Sequence, residues 1–185
     1  WKALDEAKKK KSLVVSMGHV AASGGYYIAC GADKIFANPM TITGSIGVFA
    51  TLPNFRGFEG NIGINAEHVL THKNALGYSP FEPLSEGFRK SAREGIEFVY
   101  ETFKQRVSEG RNISLEDVEA IAQGRVWTGV QAKENGLIDE LGSINDALDA
   151  AASLAEIEEF NLTSYPKIET DFDDIFGVMN PFSSI

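Results

Sequence analysis

The sequence has one cysteine, Cys30, three histidines and six prolines among its 185 residues. A lone cysteine excludes an internal disulfide and any cysteine-built metal site, and it leaves the redox compartment open. His68 and His72 are four residues apart, but one falls in an apparent strand and the other in a loop rather than on one helix face, so nothing points to zinc. Neither standard phosphate-cradling glycine motif is present. The sequence therefore predicts no cofactor. Basic residues are outnumbered, 17 Lys and Arg against 26 Asp and Glu, for a formal charge of -9. That balance argues against a nucleic-acid partner. The one basic cluster, Lys8 to Lys11, closes a short amphipathic segment (Trp1, Leu4, Ala7) and reads as a solvated helix C-terminus. No apolar run approaches the roughly 20 residues that cross a bilayer, and no signal peptide is visible.

What remains is an ordinary globular composition, 43% hydrophobic and 23% charged, enough for one domain with a sizeable core. Repeats and low-complexity segments are absent. Short apolar strands alternate with helical pieces, which predicts a layered α/β fold with a C-terminal helical part. Residues 12–17 read as a buried strand of the parallel-sheet kind, and 24–30 as helix. Residues 33–37 read as a second strand stopped by Pro39, and 41–49 as β-rich with glycine bends. A helix falls within 53–61 and a strand within 66–71. From Thr71 to Pro83 the pattern fails and a loop is expected. Leu84, Phe88, Ala92, Ile96, Val99, Phe103 and Val107 then form the stripe of a long helix, with Gly110 as its stop. Ser114 opens another helix with Asp117 three residues on, Thr128 caps a short one closed by Gly136, and Ser143 starts an alanine-rich one. Strands are expected at 137–139 and 158–165. Residues 1–165 read as one domain and 166–185 as an arm.

The chemically suggestive stretch runs from Val14 to Cys30. An apolar strand passes into small residues and then into a helix beginning near Ser23, with Gly24 and Gly25 behind the hydroxyl. Glycines there let a substrate backbone come close, and the adjacent amides can face a developing oxyanion. On local chemistry alone the commoner reading of Ser23 is an N-cap. A hydrolase would also need a base. His19 lies in the same turn, His68 in an apparent strand and His72 in the loop, and none is well placed. Lysine is left as the main candidate, with Lys73 in the 71–83 loop the best placed. A lysine serves only when burial leaves it neutral, and its plain reading is an ordinary surface residue.

Three ordered stretches resemble one family. Val14-Val15-Ser16-Met17-Gly18 followed by Ala21-Ala22-Ser23-Gly24-Gly25-Tyr26-Tyr27 resembles the nucleophile segment of signal peptide peptidase A, or protease IV. Ala37-Asn38-Pro39 with Thr43-Gly44-Ser45-Ile46-Gly47-Val48 is similar to its next motif. Ile121 to Gly129, through Ala132-Lys133 and Asn135 to Asp139, is similar to its C-terminal signature. The likeness covers about residues 1–165. It implies a Clp-protease and crotonase type of fold assembled into a ring-like homo-oligomer. It also implies a Ser-Lys peptidase that degrades cleaved, hydrophobic signal peptides at the bacterial inner membrane, its soluble domain on the periplasmic side. Carried over, Ser23 is the nucleophile, the Gly24 amide an oxyanion donor and Lys73 the candidate base.

The chain most resembles the second half of a long tandem member, and in such members the lysine comes from the first half. The family's upstream glycine pair, which completes the oxyanion hole, has no counterpart after Trp1. The expectation is a fragment weakly active or inactive alone, with its membrane segment elsewhere. Two rival readings accompany this one: a crotonase-type acyl-CoA enzyme on the same fold, and a non-catalytic assembly half of a tandem protein.

Overall fold

A computed structural model describes residues 1–63, 66–72 and 75–166. Helix α1 (Lys2–Lys8) leads to strand β1 (Val14–Met17), which enters a parallel sheet with β3 (Lys34–Ala37) and β6 (Glu140–Leu141). Val14 stands opposite Lys34 and Ser16 opposite Phe36, while Phe36 stands opposite Glu140 on the other side. A second sheet holds β2 (Val20–Ala22), β4 (Ile42–Gly44) and β5 (Val126–Thr128), with β2 parallel and β5 antiparallel to β4. The remaining helices are α2 (Gly24–Ala29), α3 (Arg56–Glu59), α4 (Glu86–Arg111), α5 (Leu115–Ile121), α6 (Gly129–Glu134) and α7 (Ile144–Leu154). This is the layered α/β architecture with a C-terminal helical part.

The core lies where α2 and the second half of α4 meet the sheets. Tyr26, Ile35, Ile46, Val107, Val118 and Leu137 are fully buried there. The Tyr26 hydroxyl donates to the Leu137 carbonyl at 2.8 Å, so a buried polar group is satisfied across 111 residues of sequence. Helix α2 rests on α4 through an edge-to-face contact of Tyr27 and Phe103, centroids 5.1 Å apart. Arg111 donates to Asp139 at 2.7 Å, and the other Asp139 oxygen accepts the Ile35 amide, pinning the end of α4 to β3.

Several expectations are corrected. Gly110 does not stop α4. The helix runs on to Arg111, and Asn112 takes the left-handed position at φ 54°, ψ 43°. Gly110 is glycine for packing: a Cβ there would stand 2.3 Å from the Cys30 carbonyl oxygen. The apolar stripe of α4 is buried only in its second half, since Phe103 and Val107 are core whereas Val99 is 49% exposed. Strand β2 falls in what reads as a turn. Three small residues carry no alternation, and the strand exists through its ladder to β4. Of residues 41–49 only Ile42–Gly44 is strand. The 137–139 strand is displaced to Glu140–Leu141, because Leu137 and Ile138 donate their amides back to Ala132. Residues 66–71 and 158–165 form no strand; Val69 and Tyr165 are largely exposed to solvent. The caps at Ser114 and Thr128 stand as expected, and Ser143 starts α7, its amide and hydroxyl both donating to Asp146. Lys73 and the arm beyond Pro166 lie outside the described residues.

Candidate active site

Ser23 sits between β2 and α2, at the position an N-cap would take. Its backbone is at φ 52°, ψ -116°, and its side chain makes no cap hydrogen bond. The contrast with the true caps decides its role in the fold. Ser85, Ser114 and Thr128 all have φ near -65° and ψ near 155°, and each accepts a helix amide. Ser23 does neither, so the cap reading fails. A non-glycine residue at such angles costs of order 1–3 kcal/mol and persists only where its surroundings impose it.

The imposing contacts are visible. The Ser23 amide donates to the Gly44 carbonyl at 2.9 Å, and the Ser23 carbonyl accepts the Tyr27 amide at 2.8 Å. Gly44, at φ 72°, is itself packed under the Trp127 indole, where a Cβ would meet the ring at 2.7 Å. The β2–β4 ladder and the first turn of α2 thus hold the serine from both sides. Its hydroxyl is turned outward: Ser23 and Gly24 are both exposed, and no described residue bonds the Ser23 Oγ. The Gly24 amide belongs to the first turn of α2, where no intrahelical acceptor exists. A Cβ at Gly24 would meet nothing within 4 Å. Space, not packing, is what this glycine leaves.

Two clefts meet at Ser23. One, of about 480 Å³, runs between the serine and the α4–α5 side, where Ile96, Glu97, Tyr100, Glu119 and Gln123 face it. The other, of about 360 Å³, lies against Tyr27, Val99 and Phe103. Gly47, Val48 and Phe49 belong to both, so the chain leaving β4 is the wall they share. Phe49 is 89% exposed, an apolar side chain held over an open groove.

No histidine is among the described residues lining either cleft. His19 is exposed in the β1–β2 turn, His68 lies 3.9 Å from Glu82, and His72 pairs with Thr71. Among the described residues, Lys104 is the lysine that bonds a cleft residue, Glu119. Its Nζ lies 2.7 Å from both Glu101 and Glu119, and those two hydrogen bonds raise its pKa above the ordinary lysine value. It is held as a cation and makes a poor base. Sequence reasoning misses this network of Tyr100, Lys104, Glu119 and Gln123. The only trace of it there is Gln123-Gly124 inside the C-terminal signature.

A strained, exposed serine at a strand-to-helix junction, facing a groove, with an unbonded amide beside it, is the layout of a hydrolytic nucleophile. Residues 5–158 match the model of peptidase family S49. The chain belongs to that family. It is similar to Protease 4 of Haemophilus influenzae, 41% identical over 94% of this chain and 28% of that protein. Protease 4 of Salmonella typhi is 39% identical over 91% of this chain and 27% of that protein. The chloroplastic serine protease SPPA of Arabidopsis thaliana is 35% identical over 96% of this chain and 27% of that protein. The chain thus spans little more than a quarter of the length of these three relatives. Among solved structures it is similar to an enoyl-CoA hydratase/isomerase family member, 16% identical with a TM-score of 0.42, over 84% of this chain and 43% of that one. That likeness is too loose to carry an argument, and the fold stands on its own ladders. Among the described residues no helix is long and apolar enough to cross a membrane.

Proposed function

We propose that this chain carries the nucleophile of a serine peptidase acting through a Ser-Lys dyad, with Ser23 as the attacking group. The observation that carries the reading is the backbone of Ser23, strained at φ 52°, ψ -116° while its side chain does no structural work. Membership of the S49 family supplies the reaction class.

In this mechanism a neutral lysine Nζ takes the Ser23 hydroxyl proton as Oγ bonds to a peptide carbonyl carbon. The carbonyl π electrons move to oxygen, and the Gly24 amide donates to that oxyanion. The lysine ammonium then protonates the departing amine as the C–N bond breaks, leaving an acyl-serine. Water attacks the acyl carbon with the lysine again as base, releasing the acid and restoring Ser23. Lys73 is this chain's candidate for the lysine; a lysine from another part of the protein is the alternative source.

The groove favours apolar, extended peptides, since Val48, Phe49, Ile96, Val99 and Phe103 dominate its walls. Cleaved signal peptides at the bacterial inner membrane are the natural substrate class of this reading. The Phe98 side chain, 72% exposed on α4, suits a surface covered by further copies in a ring.

The test is a fluorophosphonate probe applied to the intact protein. Labelling that disappears in Ser23→Ala supports the reading. Persistent labelling in that variant, or none in the wild type, removes Ser23 as nucleophile and leaves an assembly or acyl-CoA role.

A further inference from the structure

The signature Gln123-Gly124-Arg125 takes no part in the chemistry above, yet it abuts the wall shared by both clefts. We propose that Tyr100, fixed by Glu119 and Lys104, is a positioning residue that sets this wall for an extended peptide. The proposal rests on the serine-peptidase reading and names a second set of residues for it.

The chain of contacts can be followed bond by bond. Lys104 on α4 is nearly buried and holds Glu119 of α5 at 2.7 Å. Glu119 accepts the Tyr100 hydroxyl proton at 3.2–3.3 Å. With its proton so directed, the Tyr100 oxygen offers a lone pair to the Gln123 amide, which donates to it at 3.2 Å. Gln123 is at φ 59°, a conformation a glutamine does not take unaided. Its side chain is held as well: Nε2 donates to Glu119 at 3.2 Å, and Oε1 accepts from Arg125 at 2.8 Å.

The loop so fixed grips the segment after β4. The Gly124 amide donates to the Ile46 carbonyl at 2.9 Å, and the Ser45 amide donates to the Arg125 carbonyl at 2.8 Å. Gly47 lies flat on Gly124, where a Cβ would stand 2.7 Å from backbone atoms. Ser45 itself is at φ 51°. Two strained residues, Gln123 and Ser45, are thus locked against each other, and the locked segment continues into Gly47, Val48 and Phe49. Those three residues line both clefts beside Ser23. A peptide crossing from one cleft to the other must run along them. A small probe that reacts at Ser23 alone need not.

That difference supplies the test, made on the intact protein with Tyr100→Phe, which removes one oxygen and leaves the ring. Two rates are measured: turnover of an extended apolar peptide, and labelling of Ser23 by a small fluorophosphonate. The expected result is a loss of about tenfold in peptide kcat/KM, carried mainly by KM, with labelling within about threefold of wild type. Glu119→Gln, whose amide oxygen still accepts from Tyr100, is expected to stay within about threefold on the peptide, while Glu119→Leu shows the full loss. Peptide kcat/KM unchanged in Tyr100→Phe and Glu119→Leu overturns the proposal. So does a parallel fall in labelling, which would mean the network supports the fold or the nucleophile generally. Should Tyr100→Phe not fold, the two Glu119 variants decide the matter by the same pair of rates. A wild-type protein that neither labels nor cleaves defeats the peptidase reading itself, a result distinct from these.

Discussion

Ser23→Gly tests the reasoning about the nucleophile through stability. At φ 52°, ψ -116° a side chain is strained, whereas glycine, having no Cβ, occupies this region as readily as its mirror image near -52°, 116°. Removing the side chain releases about 1–3 kcal/mol of strain. Against this, glycine adds about 0.5–1 kcal/mol of unfolded-state entropy. No described residue bonds the lost hydroxyl, so no further loss opposes the gain. The balance is a stabilisation of up to about 2.5 kcal/mol, centred near 1 kcal/mol, or roughly 2–4 °C in Tm at that centre for a domain of this size. Ser23→Ala is the control, because alanine keeps Cβ and hence the strain. Both variants lose probe labelling, and only the glycine variant melts higher. Thermal and denaturant unfolding of the three proteins side by side make the comparison. A glycine variant no more stable than the alanine variant would refute the claim that the fold holds this serine under strain.

Two glycines of α4 should respond oppositely to the same substitution. Gly110→Ala drives a methyl to 2.3 Å from the Cys30 carbonyl and is expected to destabilise by about 1–3 kcal/mol, whereas Gly95→Ala, with nothing within 4 Å, should stabilise by about 0.5–1 kcal/mol; melting curves read both. Burial raises the Cys30 thiol from 9.0 to about 11. The folded state therefore keeps this proton when the unfolded chain has lost it, so the thiol's contribution is intact below about pH 9 and is lost as pH rises through about 11. Wild-type stability should fall by roughly 2–3 kcal/mol more than that of Cys30→Ala across this window, measured by denaturant unfolding at each pH.

Much of the frame is legible in the sequence because it is local. The strand before Ser23, the glycine pair, the caps at Ser114 and Thr128, the helix start at Ser143 and the long amphipathic helix each write their physics into neighbouring residues. What escapes depends on partners distant in sequence. Strand β2 is three residues whose only signature is a ladder to β4. Gly110 reads as a helix stop because its true neighbour, Cys30, lies far back in the chain. The segments at 66–71 and 158–165 carry apolar residues that suggest strands but leave them exposed and unpaired in any described ladder. The strain at Ser23 is likewise invisible in the sequence: serine at a helix start means a cap until the backbone angles say otherwise.

On the proposed dyad, the clefts also constrain where the base could approach. A lysine works here only if it is neutral, which requires desolvation without a carboxylate partner. Lys104 shows the opposite environment, two carboxylates at 2.7 Å that keep its proton on. The α4–α5 cleft contains Glu97 and Glu119, so an ammonium lodged there would be stabilised and its basicity lost to charge. The cleft against Tyr27, Val99 and Phe103 is lined by no carboxylate among the described residues and is largely apolar. On the proposed dyad, a lysine Nζ reaching Ser23 over that surface would meet apolar side chains and no carboxylate, so nothing there would hold its proton on. The wall of Gly47, Val48 and Phe49 that divides the clefts therefore separates an acidic side from an apolar side, and on the proposed dyad the apolar side is the one that suits a neutral lysine.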